Sequence, residues 1–242
     1  YIIKESKNQE SENFRLKYIS AGPMATPELA TEQAFEEIIH FAQISKNGFE
    51  YAKQAVNEND SDKFEALREK LVKYEEISDR IEHEIAAFLN AVSAGEISES
   101  TSNKIKAMYK IIGELESLGD SGETLSRILS RKNIHKKEFD SESIKNLNAM
   151  ADAVNATYDV MIENLIAARK GELVEISNAY NAEDRLNTLR NNLRDSVIEN
   201  IDSKGDNYQA SVYFIDIINT YEQMGDFMIN VSQDLERAFV RK

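Results

Sequence analysis

Cysteine is absent from this 242-residue chain, which excludes disulfides and thiolate metal sites and is compatible with a reducing compartment. Two prolines and nine glycines leave little material for sheets, tight turns or long loops. Both prolines, Pro23 and Pro27, precede the first long periodic segment. No apolar run approaches the roughly 18 residues that cross a bilayer, and no signal peptide is visible, so this piece is expected to be soluble. Positive charge is also scarce: 29 Lys and Arg stand against 43 Asp and Glu, a formal net charge of −14. Nucleic acid is therefore not an expected partner, because phosphate-backbone contacts need cations concentrated on one face. Enzyme signatures are missing as well. There is no glycine-rich phosphate loop and no Ser or Thr in a recognisable nucleophile frame, so no catalytic activity is expected.

What remains is a helical sequence. With 41% apolar and 30% charged residues, the chain can bury a core as one elongated domain or as two similar halves. Residues 1–25 are polar and irregular and read as a linker; a chain that begins at Tyr1 reads as a fragment of something longer. Thr26-Pro27-Glu28 starts a first helix, with a capping hydroxyl, proline at the first helical position and an acid favoured by the dipole. That helix is expected to run to Asn57. A second follows Asn59–Asp62, with Leu67, Tyr74, Ile77, Ile81, Ile85 and Phe88 at helical spacing, and ends at Gly95. The third starts after Ser98 and is expected to reach about Leu129, before a basic link from Arg131 to Lys137. The fourth runs from Asp140-Ser141 to Lys170, the fifth from Glu172 to Ile201, and the sixth opens at Gly205-Asp206. The predicted fold is all-α: two tandem antiparallel three-helix bundles, residues 26–132 and 133–242.

A short acidic motif recurs at matching places in the two halves. Glu75 and Asp79, Glu116 and Asp120, Glu183 and Asn187, and Glu222 and Asp226 are four pairs at i, i+4 spacing, the third with Asn in the last position. Glu75 and Glu183 stand 108 residues apart, and Glu116 and Glu222 stand 106 apart, which points to a duplicated unit. On a helix each pair directs two oxygen-bearing side chains to one face, the arrangement a hard or borderline cation requires. Helical phase puts Glu116/Asp120, Glu183/Asn187 and Glu222/Asp226 at the edge of an apolar stripe, whereas Glu75/Asp79 lie roughly opposite Ile77 and Ile81 and are expected on a separate, shallow surface. Gly119 and Gly225 each precede the last acid of their pair. Mid-helix glycine is mildly unfavourable, so two at equivalent positions predict close approach of a helix or a ligand.

These frames resemble the PhoU-like helical domain, and in particular the version at the cytoplasmic end of bacterial sodium/phosphate cotransporters. The family's Glu-Arg-Ile-Gly-Asp signature corresponds to Glu116-Ser117-Leu118-Gly119-Asp120 and Glu222-Gln223-Met224-Gly225-Asp226. Its partner acids correspond to Glu75/Asp79 and Glu183/Asn187, and residues 18–42 resemble the stretch that follows the membrane part of those transporters. The resemblance implies a regulatory domain on the cytoplasmic side of the inner membrane. Its partner would be a transmembrane phosphate-transporter domain of the same polypeptide or a transporter complex, with a homodimer left open. It further implies that the eight motif residues hold iron or another divalent or trivalent metal ion. Three departures stand out: Ser117 and Gln223 replace the signature arginines, Asn187 is neutral, and Phe227 follows the fourth motif where histidine is common. A site in the first repeat is therefore expected to be the stronger one.

Other readings stay open. A free-standing PhoU-like regulator fits the same motifs, as does a metal-free helical adaptor whose acids pair with core-edge arginines such as Arg80 or Arg190. His83, one turn after Asp79, could add a nitrogen ligand but reads as a surface residue, and His135 is expected to be exposed. Glu37 and His40 form the one Glu-x-x-His in the chain, whereas a ferritin-type di-iron bundle needs two such pairs.

Overall fold

A computed structural model describes residues 16–19, 26–174, 176–204 and 208–239. Six helices follow in order: α1 (Pro27–Asn57), α2 (Ser61–Ser93), α3 (Glu99–Ile134), α4 (Ser141–Lys170), α5 (Ile176–Lys204) and α6 (Tyr208–Phe239). The first four begin at side-chain caps legible in the sequence. Thr26 accepts from the Leu29 amide, Asp60 from those of Asp62 and Lys63, Ser98 from Thr101 and Asp140 from Ser143. Gly171 stops α4 with φ 71°, a left-handed conformation that suits glycine.

Two boundaries differ from expectation. The third helix does not stop near Leu129 but runs to Ile134, taking in the first half of the basic link. Arg131 and Lys132 in the last turn favour this by facing the negative end of the helix dipole. The Lys137 and Lys136 amides then close the turn on the carbonyls of Lys132 and Asn133. Helix α5 begins at Ile176 rather than Glu172, after an irregular stretch in which Val174 is buried. The expected opening of α6 at Gly205-Asp206 lies outside the described residues, as does most of the expected 1–25 linker.

Helices α1–α3 pack on one another, as do α4–α6, and the two groups meet through α1 against α4 and α3 against α6. Helices α2 and α5 therefore flank a central layer of four. Buried side chains from all six helices form one continuous apolar core. A fully buried Leu or Ile in such a core contributes about 1.5–3 kcal/mol. Along the α1–α4 seam the partners run in opposite directions, step for step: Lys46 with Asp159, Glu50 with Asn155, Lys53 with Asp152 and Asn57 with Asn148. These exposed pairs set the register more than the stability, since surface ion pairs contribute little.

Beneath that seam lies an aromatic centre. The Phe49 ring sits 5.8 Å from that of Tyr158 and 5.7 Å from that of Tyr221, and both tyrosines are fully buried. Burial raises the pKa of both phenols far above the usual range. Tyr158 shares a hydrogen bond of 3.0 Å with Ser45, while the Tyr221 hydroxyl has no protein partner. At the other end of α1, Glu37 is wholly buried, and its Oε2 accepts the backbone N–H groups of Lys17 (2.8 Å) and Tyr18 (2.7 Å). Its Oε1 lies 3.1 Å from His40 Nδ1, so the Glu-x-x-His pair pins the leading segment to α1.

The two tyrosines are expected to respond differently to loss of the hydroxyl. Tyr158→Phe leaves Ser45 unpaired and should cost about 1 kcal/mol, whereas Tyr221→Phe removes an unsatisfied buried group and should be neutral or stabilising. Urea unfolding of the two variants beside the parent chain measures the contrast.

Candidate functional site

The second and third helices approach closely at one point, and that point organises the acids. A Cβ on Gly119 would stand 2.6 Å from Ser78 Oγ and 2.8 Å from Ser78 Cβ, so only glycine admits this contact. Ser78 is buried there and donates to the Tyr74 carbonyl at 2.9 Å. The close approach predicted from the glycines is thus made by a helix. Gly225 repeats the arrangement in the second half, where a Cβ would meet Leu186 Cδ1 at 2.8 Å.

Beside the Gly119 joint, carboxylate oxygens of Glu75, Asp79 and Asp120 all lie within 4.8 Å of one another. Glu75 is half-buried and Asp79 exposed, in keeping with the expected shallow surface away from the bundle core, but that surface is shared with Asp120. They open onto the α2–α3 groove because the narrow joint turns the outer edge of α2 toward α3, which a helical wheel for a single helix does not register. Glu116, one turn before Asp120, feels both Asp120 and Asp79 but lies outside the convergent trio. Sequence reasoning missed Glu123, whose charge bears on Glu75 and Asp120; its i+3 spacing from Asp120 was the available signal. Burial, then neighbouring carboxylates, raise the pKa values of Glu75, Glu116 and Asp120. The one cation that acts on Asp120, Arg127, is itself engaged with Glu123 at 3.4 Å.

The equivalent groove in the second repeat is balanced differently. Arg190 Nη2 lies 2.7 Å from Glu222 Oε1, and the same guanidinium lowers the Asp226 pKa against the dominant raising effects of burial and Glu222. The Asn187 amide donates to Glu183, whose pKa is nonetheless raised, first by burial. Of the eight motif residues, three converge as potential ligands, all in the first repeat; Glu183, Asn187, Glu222 and Asp226 form a partly neutralised set around Arg190. His83 is exposed and outside the trio, and His135 is exposed and bonded to the Tyr213 hydroxyl.

The residues present fit a hard cation. Three carboxylate oxygens within 4.8 Å can all reach an ion that takes oxygen at about 2.0–2.6 Å, and bringing one in removes the repulsion between them. The donor set is all oxygen, which suits magnesium, calcium, manganese or iron better than a thiolate-seeking metal.

Fold and groove together define a class: an all-helical bundle of six helices with an acidic groove on the flank of its first half. Residues 38–129 match the family model of the PhoU domain. Its fold is similar to that of PhoU from Pseudomonas aeruginosa (TM-score 0.74, 11% identity, covering 86% of this chain and 96% of the other). It is equally similar to the phosphate transport system regulatory protein PhoU from Streptococcus pneumoniae (TM-score 0.71, 13% identity, 89% and 100%). Among curated proteins, none matches the chain.

Two substitutions on α3 separate a packing glycine from an idle one. Gly119→Ala forces Ser78 or the helix to move and should cost about 1–3 kcal/mol. Gly113→Ala, with nothing within 4 Å of the new methyl, should gain about 0.5–1 kcal/mol from helix propensity. Thermal unfolding measures both. The raised carboxyl pKa values set a pH dependence. A raised acid contributes stability that is present below its unfolded pKa and lost as pH rises through its folded pKa. In chelator, Glu116→Gln/Asp120→Asn should therefore raise the melting temperature at pH 7, and that gain should shrink as pH falls toward about 4, where the parent carboxyls are protonated.

Proposed function

We propose that this protein is a non-catalytic regulatory domain for phosphate transport, and that it works through a cation held in the α2–α3 groove. The observation that carries the cation half of this reading is the convergence of Glu75, Asp79 and Asp120 beside the Gly119–Ser78 joint. Glu116 and Glu123 add negative charge around them. The regulatory half draws support from the PhoU domain match and from a fold shared with a protein named as a phosphate transport system regulator. Under this reading the ion ties α2 to α3, and its loss leaves repelling carboxylates that loosen the flank. The partner that senses the difference is a membrane phosphate transporter on the cytoplasmic side.

The transporter is either part of the same polypeptide, as the likeness of residues 18–42 to a post-membrane segment suggests, or a separate complex. Coverage of 96% and 100% of the two PhoU chains is compatible with both arrangements. In the second repeat, Glu183, Asn187, Glu222 and Asp226 are the weaker candidate ligands, because Arg190 already supplies a positive charge there.

Elemental analysis of protein purified without chelator or metal-affinity resin tests the site. We expect a stoichiometric divalent or trivalent ion, iron foremost, that is lost from a Glu75→Gln/Asp120→Asn variant with an unchanged far-UV circular dichroism spectrum. Protein that stays metal-free after anaerobic loading would refute the cation-linked reading and leave a helical adaptor. Unaltered phosphate uptake and regulation in cells lacking the domain would refute the regulatory one.

A further inference from the structure

The α1–α2 and α3–α4 turns enclose a cleft of about 910 Å³ at one end of the bundle. It lies about 18 Å along α3 from Asp120 at the helical rise, well separated from the acidic groove. Its walls mix apolar side chains, Phe64, Phe139 and Ile144 among them, with three lysines, Lys132, Lys136 and Lys137. The same lining carries three acids, Glu58, Asp60 and Glu138, so what matters is where each ammonium stands rather than the summed charge.

Lys132 is the informative one. Its residue is 9% exposed, yet among the described residues no carboxylate oxygen lies within 4.0 Å of its ammonium. The neighbours it does have are the face of the Phe139 ring, 5.0 Å away, and the more distant charge of Glu138. The desolvation of this ammonium lowers its pKa despite Glu138, as expected for a charge without a close counter-ion. Two other acids of the lining face backbone donors: Glu58 accepts from the Asp60 amide at 2.8 Å, and Asp60 from those of Asp62 and Lys63 at 3.1 and 3.0 Å.

Lys136 adds a second oddity. It is the non-glycine residue with positive φ among the described residues (53°), at a helix terminus where glycine is the favoured choice. A lysine kept there retains a cation at the mouth of the cleft at some conformational cost.

We propose that this cleft binds a small phosphate-type oxyanion, with Lys132 as its buried counter-charge and Lys136 and Lys137 at the rim. Lysines act as compact point charges with several donors each, which suits a tetrahedral, multiply charged oxyanion without requiring the planar fork of arginine. A cleft of this volume also accommodates a larger molecule behind the anionic group. The site is independent of the cation reading, since it shares no residue with the acidic groove.

Inorganic phosphate titrated into the full chain, in chelator and at fixed ionic strength, tests the assignment by calorimetry and by melting temperature. The expected result is a saturable response in the parent chain that weakens at least about tenfold in Lys132→Met, which keeps the aliphatic stem and removes the charge. Lys136→Gly should also weaken binding while raising the basal melting temperature by relieving the left-handed backbone. That variant keeps the test decisive if Lys132→Met folds poorly. Co-sedimentation with phosphatidic acid vesicles separates the two sources of the same chemistry. Lysine-dependent binding to vesicles alone would assign a lipid headgroup, and lysine-dependent binding of free phosphate would assign a soluble anion. No saturable response to either probe up to about 10 mM, or one unchanged by both substitutions, would overturn the site.

Discussion

With no side chain at position 119, α3 settles directly onto Ser78 of α2, and much of the first repeat's flank follows from that contact. The interhelical distance it sets is short enough for carboxylates on the outer edges of two different helices to meet. Glu75 and Asp79 belong to one helix and Asp120 to the other, so their convergence is a property of the joint and not of either motif. A larger residue at 119 would act on the groove without touching a single acid. In the second half Gly225 makes a similar close contact with Leu186 of α5.

The difference between the two grooves is mainly electrostatic. In the first groove, half-buried Glu75 and exposed Asp79 and Asp120 stand together, and Arg127, which acts on Asp120, is already engaged with Glu123. Two carboxylates in a poorly solvated place each disfavour ionisation of the other, which is why burial and neighbouring acids raise the same groups. A cation relieves both penalties at once. The second groove relieves them internally, through the Arg190–Glu222 pair and the neutral amide of Asn187, so an ion would gain less there.

The central layer has its own logic. Antiparallel α1 and α4 are held in register by polar partners about a hundred residues apart in sequence, over an aromatic centre of Phe49, Tyr158 and Tyr221. At the end of that layer, Glu37 gathers two amides from the segment ahead of α1. Displacements of the leading segment would therefore bear on α1, and through the α1–α4 seam on the second repeat. The Glu-x-x-His pair, unsuited in number to a di-iron site, instead ties Lys17 and Tyr18 to α1.

Helix number, the first four caps and the duplicated acids were legible in the sequence because each rests on local rules: a capping oxygen three residues ahead of a free amide, apolar spacing of 3.6, and a motif repeated at a constant offset. Glycine at 119 and 225 announced close packing for the same reason, since a helix carries that penalty only where something must come near. The sequence offered Arg80 and Arg190 as partners for the acids; tertiary structure decided what came near, which acids shared a groove, that Arg190 would pair with Glu222, and that α3 would extend through Arg131 and Lys132 to Ile134. Those outcomes depend on the relative rotation and separation of helices, quantities that a one-dimensional pattern of apolar and charged residues leaves free until the cores pack.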